Sequence, residues 1–151
     1  MTIPVPFTGN QPTYAHPDDA GADLTAAKDT CLIQGSRSLV PTGTHVNIPA
    51  GYVGLICPRS GLAHKHGITV ANAPGVVDAG YTGEIMVNLI NHGHHSHHIE
   101  AGDRIAQLLI MPIAHATFEP VQHHTTTQRG NHGHGSTGDK QTPPKPHHTQ
   151  L

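Results

Sequence analysis

Pro58-Arg59-Ser60-Gly61 puts a guanidinium, a hydroxyl and a flexible backbone at what reads as a strand-to-helix junction. Free N–H groups at a helix start point outward and favour anions, and arginine adds a two-pronged donor for phosphate oxygens. An ordinary capped turn has the same composition. A second stretch, GVVDAGYTGEI at residues 75–85, runs from two valines into Asp78, then Tyr81 and Gly83. It reads as a hairpin with an acid and an aromatic ring at its tip. An Asp in a turn is commonly a turn former, whereas one held beside a substrate orients and deprotonates a water. In GDRIAQLLI, residues 102–110, Asp103 and Arg104 are placed to pair locally, and Gln107 alternates with apolar neighbours and projects from a strand. In AGADLTA, residues 20–26, Asp23 stands among small residues, where a carboxylate meets Mg2+ directly or through water. The last stretch, RGNHGHGSTG at residues 129–138, has four glycines, an arginine, two histidines, a serine and a threonine, and no apolar side chain to bury. A spacer, a metal-binding tract and an arm that wraps an anion all fit it.

The elements that must position these residues are short. Seventeen glycines and thirteen prolines punctuate apolar runs at close spacing, the pattern of an all-β chain. The expected strands are CLIQ (31–34), RSLVPT (37–42), THVNIP (44–49), YVGLICP (52–58), GITVAN (67–72), GEIMVNLIN (83–91) and RIAQLLIMPIA (104–114). Nowhere does a helical apolar period persist over three turns. One short helix is expected at SGLAHKHG, residues 60–67, capped by Ser60 and ended by Gly67. Many short strands without a repeat suggest a barrel or jelly roll. Three tyrosines, two phenylalanines and no tryptophan make a thin core, which implies an oligomer whose subunits share buried surface. From about Gln122 the chain turns polar and rich in Gly and Pro, a composition that does not offset chain entropy by burial.

Composition excludes several functions. A length of 151 residues suits one domain, and 12% charged residues with a net charge of −2 is not the basic balance of a nucleic-acid binder. Cys31 and Cys57 form neither a CxxC pair nor a disulfide framework, so a reducing compartment is expected. The N-terminus has no basic run followed by an apolar stretch, and no segment has the apolar length of a membrane span. The expected location is the cytoplasm, away from membranes.

Taken in order, AGADL, PRSGLAHKHGI, NAPGVVDAGYTGEI, GDRIAQL and RGNHGHGSTG resemble the five ordered motifs of the trimeric dUTP pyrophosphatases, the dUTPases, over about residues 17–138. The resemblance implies a jelly-roll-like β-barrel subunit with one short helix and a flexible C-terminal arm, assembled as a homotrimer with active sites shared between chains. It divides the chain into a β domain at residues 1–121, an arm at 122–138 and a disordered tail at 139–151. It implies hydrolysis of dUTP to dUMP and pyrophosphate with Mg2+, which limits uracil in DNA and supplies dUMP for dTMP synthesis. By the same resemblance, Asp78 is the base that activates water against the α-phosphorus. Tyr81 lies against the deoxyribose and leaves no room for a 2′-OH. Asn72, Val76, Val77 and Met86 line the uracil site. Arg59, Ser60, Gly61 and Gln107 hold phosphates, and Asp23 places Mg2+ through its water shell. Arg129 reaches the γ-phosphate, with Gly135, Ser136 and Thr137 donating to phosphate oxygens.

The chain also departs from the family pattern. His134 stands where the family usually has a phenylalanine that covers the uracil, so a smaller ring must do the stacking. His132 replaces a usual glycine, Gly80 a common acid and Thr82 a common basic residue. Two other functions compete. A dCTP deaminase shares the fold, but needs an acid-base group facing cytosine, and NAPGVVDAGY follows the dUTPase pattern. A histidine-rich metal binder is suggested by NHGHHSHH, residues 91–98, where five histidines fall in seven positions. Read as a flexible hairpin tip, that loop offers no fixed geometry, and metal there is expected to be adventitious.

Overall fold

The computed structural model describes residues 1–141. Residues 1–116 form one compact unit and the chain from residue 117 a second. The first unit runs β1 (Phe7–Gly9), β2 (Ala22–Thr25), β3 (Thr30–Leu32), β4 (Arg37–Val46), β5 (Tyr52–Cys57), α1 (Ser60–His66), β6 (Ile68–Val70), β7 (Gly75–Val77), β8 (Glu84–Asn91), β9 (His97–Ile99) and β10 (Arg104–Pro112). One sheet has the order β1-β4-β8-β6 and another β2-β10-β5-β7, while β3 and β9 form a separate pair. The pairings are antiparallel. The fold is all-β and jelly-roll-like, with one short helix. No helix among the described residues is long and apolar enough to cross a membrane.

Alternation builds the long strands. In β8, Ile85, Val87 and Leu89 point inward, whereas Met86 is exposed and Asn88 half-buried. In β4, Val40 and Val46 are buried with Thr42 and Thr44 between them. These residues join Leu24, Ile56, Ile105 and Leu108 of the other sheet in one apolar core. Buried hydroxyls need partners: the Thr42 hydroxyl donates to the Ile85 carbonyl at 2.6 Å and accepts the Thr44 N–H at 3.1 Å.

The structure corrects several expectations. The run at 37–42 and the first three residues of the run at 44–49 belong to one ten-residue strand, β4, and residues 47–49 lie outside it. The Pro41–Gly43 punctuation is a register shift within its ladder to β8, a local irregularity of the kind bulges make. Ser60 does not cap the helix. The N-cap position is Arg59, in extended conformation and without a side-chain cap bond, because the chain leaves β5 still extended. Gly67 ends α1 as expected, in the left-handed region at φ 68°. The stretch 75–85 is not a ladder-paired hairpin. β7 pairs with β5 in one sheet and β8 with β4 and β6 in the other, so these residues cross between sheets.

The 91–98 connection is not a free tip. Asn91 is fully buried, and its amide donates to the carbonyls of Leu32 and His95, both at 2.9 Å. Its Oδ1 accepts the Gly93 N–H at 2.8 Å. The His92 N–H donates to the Gly67 carbonyl at 2.8 Å. A Cβ on Gly67 would lie 2.6 Å from the Gly93 nitrogen, and one on Gly93 would collide with the His66 carbonyl. Only glycines allow the end of α1 and this connection to come so close. His97 continues directly into β9, which pairs with β3.

In the second unit, residues 117–141 contain turns and bends and, among the described residues, no helix or strand. The expected disordered tail lies outside the described residues from residue 142.

Asn91 fastens β8, the turn after it and the β3 end with one side chain. Asn91→Ala leaves several buried polar groups unpaired at about 1–3 kcal/mol each. The expected loss is about 3 kcal/mol in urea denaturation at fixed chain concentration. A loss below about 1 kcal/mol would mean that water replaces the amide.

Candidate functional site

The residues expected at the site in the first unit fall into two groups, and the register of one sheet fixes the first. In β10, Gln107 stands opposite Asp23 of β2 on one side and Cys57 of β5 on the other. Residues in one row of an antiparallel sheet share a face, so Asp23, Gln107 and Cys57 form a half-buried row on the face away from the core. The Gln107 amide donates to the Pro58 carbonyl at 2.9 Å, which ties the exit of β5 to β10. Arg59 then returns toward the row. Its Nε lies 3.4 Å from Asp23 Oδ1, and Arg104 Nε lies 3.6 Å from Asp23 Oδ2. A guanidinium N–H of Arg59 also donates to the Arg104 carbonyl at 3.2 Å. One carboxylate thus lies between two cations. The Asp23 side chain is 16% exposed, against 33% for Arg59 and 58% for Arg104. At such spacing and exposure the pairs are worth about 1 kcal/mol or less each. Their consequence is orientation and a net positive corner, next to the exposed Ser60 and Gly61.

Asp103 does not pair with its neighbour Arg104. Its Oδ2 accepts the Glu100 N–H at 2.9 Å inside the turn before β10, and Arg104 is left to reach Asp23. Sequence reasoning missed Arg104 because an adjacent Asp and Arg resemble a self-contained pair. The signal that could have found it is its strand position, three residues before Gln107 and pairing with Thr25.

The second group lines a cleft of about 360 Å³. Asn72, Val76, Val77, Asp78, Tyr81 and Met86 all face it, together with Glu84 and Asn88. The crossing between the two sheets creates this cleft. Val77 is buried and anchors β7, and Asp78 follows where the chain leaves the ladder. The Tyr81 N–H donates to the Asp78 carbonyl at 3.2 Å, and the Gly80 N–H to the Ile48 carbonyl at 3.1 Å. The Tyr81 hydroxyl donates to the Glu84 carbonyl at 3.0 Å, which fixes the ring at the rim. Glu84 is itself occupied, since its Oε1 accepts the Gly43 N–H at 2.9 Å. Asp78 remains an exposed carboxylate in a cleft whose walls are mostly apolar.

These two groups are far apart within one chain. Val77 opposes Gly54, which opposes Ile110. Asp78 therefore lies four residues along and two strands across from Gln107, roughly 16 Å at ordinary strand spacings. Between them the outward face is apolar: Leu109, Leu55 and Val76 share a row, and Val53 and Met111 share the next. Val76 is 62% exposed and Met111 44%.

In the second unit, Arg129, His134, Gly135 and Ser136 are exposed. The Arg129 Nε donates to the His132 carbonyl at 3.1 Å. Successive turns close from the Ser136 N–H to the Gly133 carbonyl at 2.8 Å and from the Gly138 N–H to the Gly135 carbonyl at 2.9 Å.

A family model described as dUTPase matches residues 8–138. A protein of Cutibacterium acnes named deoxyuridine 5'-triphosphate nucleotidohydrolase is 49% identical over 144 residues, 95% of this chain and 93% of the relative. The dUTPase of Staphylococcus bacteriophage 80alpha, solved with dUPNHPP, superposes with a TM-score of 0.84 at 28% identity, covering 91% of this chain and all (100%) of that one. A mutant dUTPase from phage phi11 of S. aureus, described as coordinating a structural Mg(II) ion, gives a TM-score of 0.76 at 25% identity, over 82% of this chain and 100% of that one.

Proposed function

This chain belongs to the dUTPase family, and from that premise we propose how its residues carry out the reaction. The protein is a dUTP diphosphatase that hydrolyses dUTP to dUMP and pyrophosphate, limiting uracil in DNA and supplying dUMP for dTMP synthesis. The observation that carries the reading is the single cleft that gathers Asn72, Val76, Val77, Asp78, Tyr81 and Met86. Its apolar walls suit a uracil ring, with Asn72 as a polar contact. Tyr81, held at the rim by Glu84, packs against the deoxyribose and excludes a 2′-OH.

Asp78 acts as general base. It takes a proton from water as the water oxygen bonds to the α-phosphorus. The bond from that phosphorus to the bridging oxygen of the β-phosphate breaks, and pyrophosphate leaves with the electron pair. Arg59, Ser60, Gly61 and Gln107 hold the phosphates at the positive corner, where fixed donors stabilise the charge that moves onto the leaving group. Arg129 takes the γ-phosphate, Gly135 and Ser136 donate to phosphate oxygens, and the His134 ring stacks on uracil. The segment 129–138 orders on the nucleotide as it does so.

The donor set suits Mg2+. Asp23 is a single hard carboxylate already facing two guanidiniums, so a hydrated ion shared with substrate phosphates fits it better than a directly ligated one. When bound, Mg2+ neutralises triphosphate charge and polarises phosphoryl oxygens.

Separation of the two groups within a chain supports a homotrimer. A nucleotide that touches both the phosphate corner and Asp78 needs them from different subunits, and the apolar rows of Leu55, Leu109, Val53 and Met111 are the surface that subunits would cover. Both cysteines are free thiols, in keeping with the cytoplasm as the site of action.

The test of function is a nucleotide panel with pyrophosphate and ammonia detection: dUTP is cleaved while dCTP, dTTP and UTP are spared. Ammonia release from dCTP would overturn the reading. Asp78→Asn is expected to keep the assembly and nucleotide affinity while lowering turnover about 10²–10⁴-fold; near-normal turnover removes Asp78 from the mechanism. Leu55→Asp is expected to give a folded monomer by light scattering and to abolish turnover, and an active monomer would refute the shared site. Removing residues 129–151 is expected to leave the trimer intact with sharply reduced turnover; full activity would exclude this segment from catalysis.

A further inference from the structure

Outside the residues used above, the chemically densest region is a cleft of about 300 Å³ between the C-terminal end of α1 and the connection from β8 to β9. Six histidines line it: His64 and His66 from α1, His92, His94 and His95 from the connection, and His97 at the start of β9. Two of them meet across it. The rings of His66 and His97 have centroids 4.3 Å apart at an interplanar angle of 40°. We propose that this cleft binds one divalent transition-metal ion of the Zn2+ class, with His66 and His97 as its core ligands.

The backbone on both sides is fixed, as a specific site requires. Asn91 holds the connection through its bonds to Gly93 and His95. The His92–Gly67 hydrogen bond and the close packing of Gly93 on His66 tie that connection to the helix end. A loose histidine tract has no such framing, so the composition alone gives the wrong picture of this loop. Two imidazoles on one tetrahedral ion hold their centroids roughly 5 Å apart, so the pair must part by only about 1 Å.

Among the described residues no three His, Cys, Asp or Glu side chains are gathered to hold an ion. The two facing rings are therefore the nucleus of the site, and they part to admit the ion. Rotation of exposed His94 or His95, with water, completes four-coordination. Imidazole donors select Zn2+, Ni2+ or Cu2+ over Mg2+, which separates this site from the ion used with the substrate. His66 and His97 also line the adjoining cleft that contains Arg59 and Arg104, so the pair forms a wall shared with the phosphate corner.

The experiment titrates the full chain, in excess Mg2+, with Zn2+ alone. Calorimetry should give one strong site per chain, and imidazole 15N resonances should show His66 and His97 shifting together. His66→Ala and His97→Ala should each weaken Zn2+ by more than about tenfold, the least that loss of even an outer-shell partner commonly costs. The double variant His123→Ala with His124→Ala, in the second unit, should keep the strong site. Affinity unchanged in both cleft variants, loss of the strong site in the His123/His124 variant, or unshifted His66 and His97 resonances in the saturated native chain would each overturn the proposal.

Discussion

Alternation along an extended chain is the constraint on which the rest of this molecule depends. Residues two apart share a face, and the sheet β2-β10-β5-β7 uses both of its faces. Leu108 and Ile56 enter the core, whereas Gln107, Cys57, Leu109 and Leu55 face the other way. A slip of one residue between β10 and β5 would send Gln107 inward and Leu108 outward. The core pattern thereby sets the position of the Gln107 amide. Packing and chemistry are two faces of one register.

The outer face of that sheet shares this economy. Nothing on the outer face is deeply buried, so its charges are weak as sources of stability. They remain strong as sources of orientation. Asp23 aligns Arg59 and Arg104, and the Gln107 amide fixes the end of β5. The Asp78 cleft is built differently, with apolar walls and a carboxylate set where the chain leaves one sheet for the other. One region organises charge, and the other sets a carboxylate beside an apolar wall.

Much of this was legible in the sequence. A long strand such as β8 announces itself because several alternations fit within eight residues. The motif residues expected around uracil were named from the chain, and the structure lines one cleft with them. What stayed hidden is mainly non-local. Strands of three or four residues, such as β1, β7 and β9, carry too little pattern to stand out. The crossing at residues 75–85 looks like a hairpin because nothing local says which sheet each arm will join. Ser60 looks like a cap because its neighbours do not reveal that Arg59 remains extended. The fixed histidine loop depends on Asn91, whose amide bonds a carbonyl 59 positions away, a partner that no window of sequence contains.

The distance between the Gln107 row and Asp78 has a genetic meaning. If each catalytic centre joins the phosphate corner of one subunit to the Asp78 cleft of another, then lesions in the two places are not equivalent copies of one defect. A subunit lacking Asp78 still carries a sound phosphate corner, and one lacking Arg59 still carries a sound cleft. Co-assembled, the two inactive alleles rebuild intact centres wherever their sound surfaces meet. Conversely, one damaged allele spoils centres that its healthy sibling has half built. With centres shared in that way, complementation and dominance become matters of strand register.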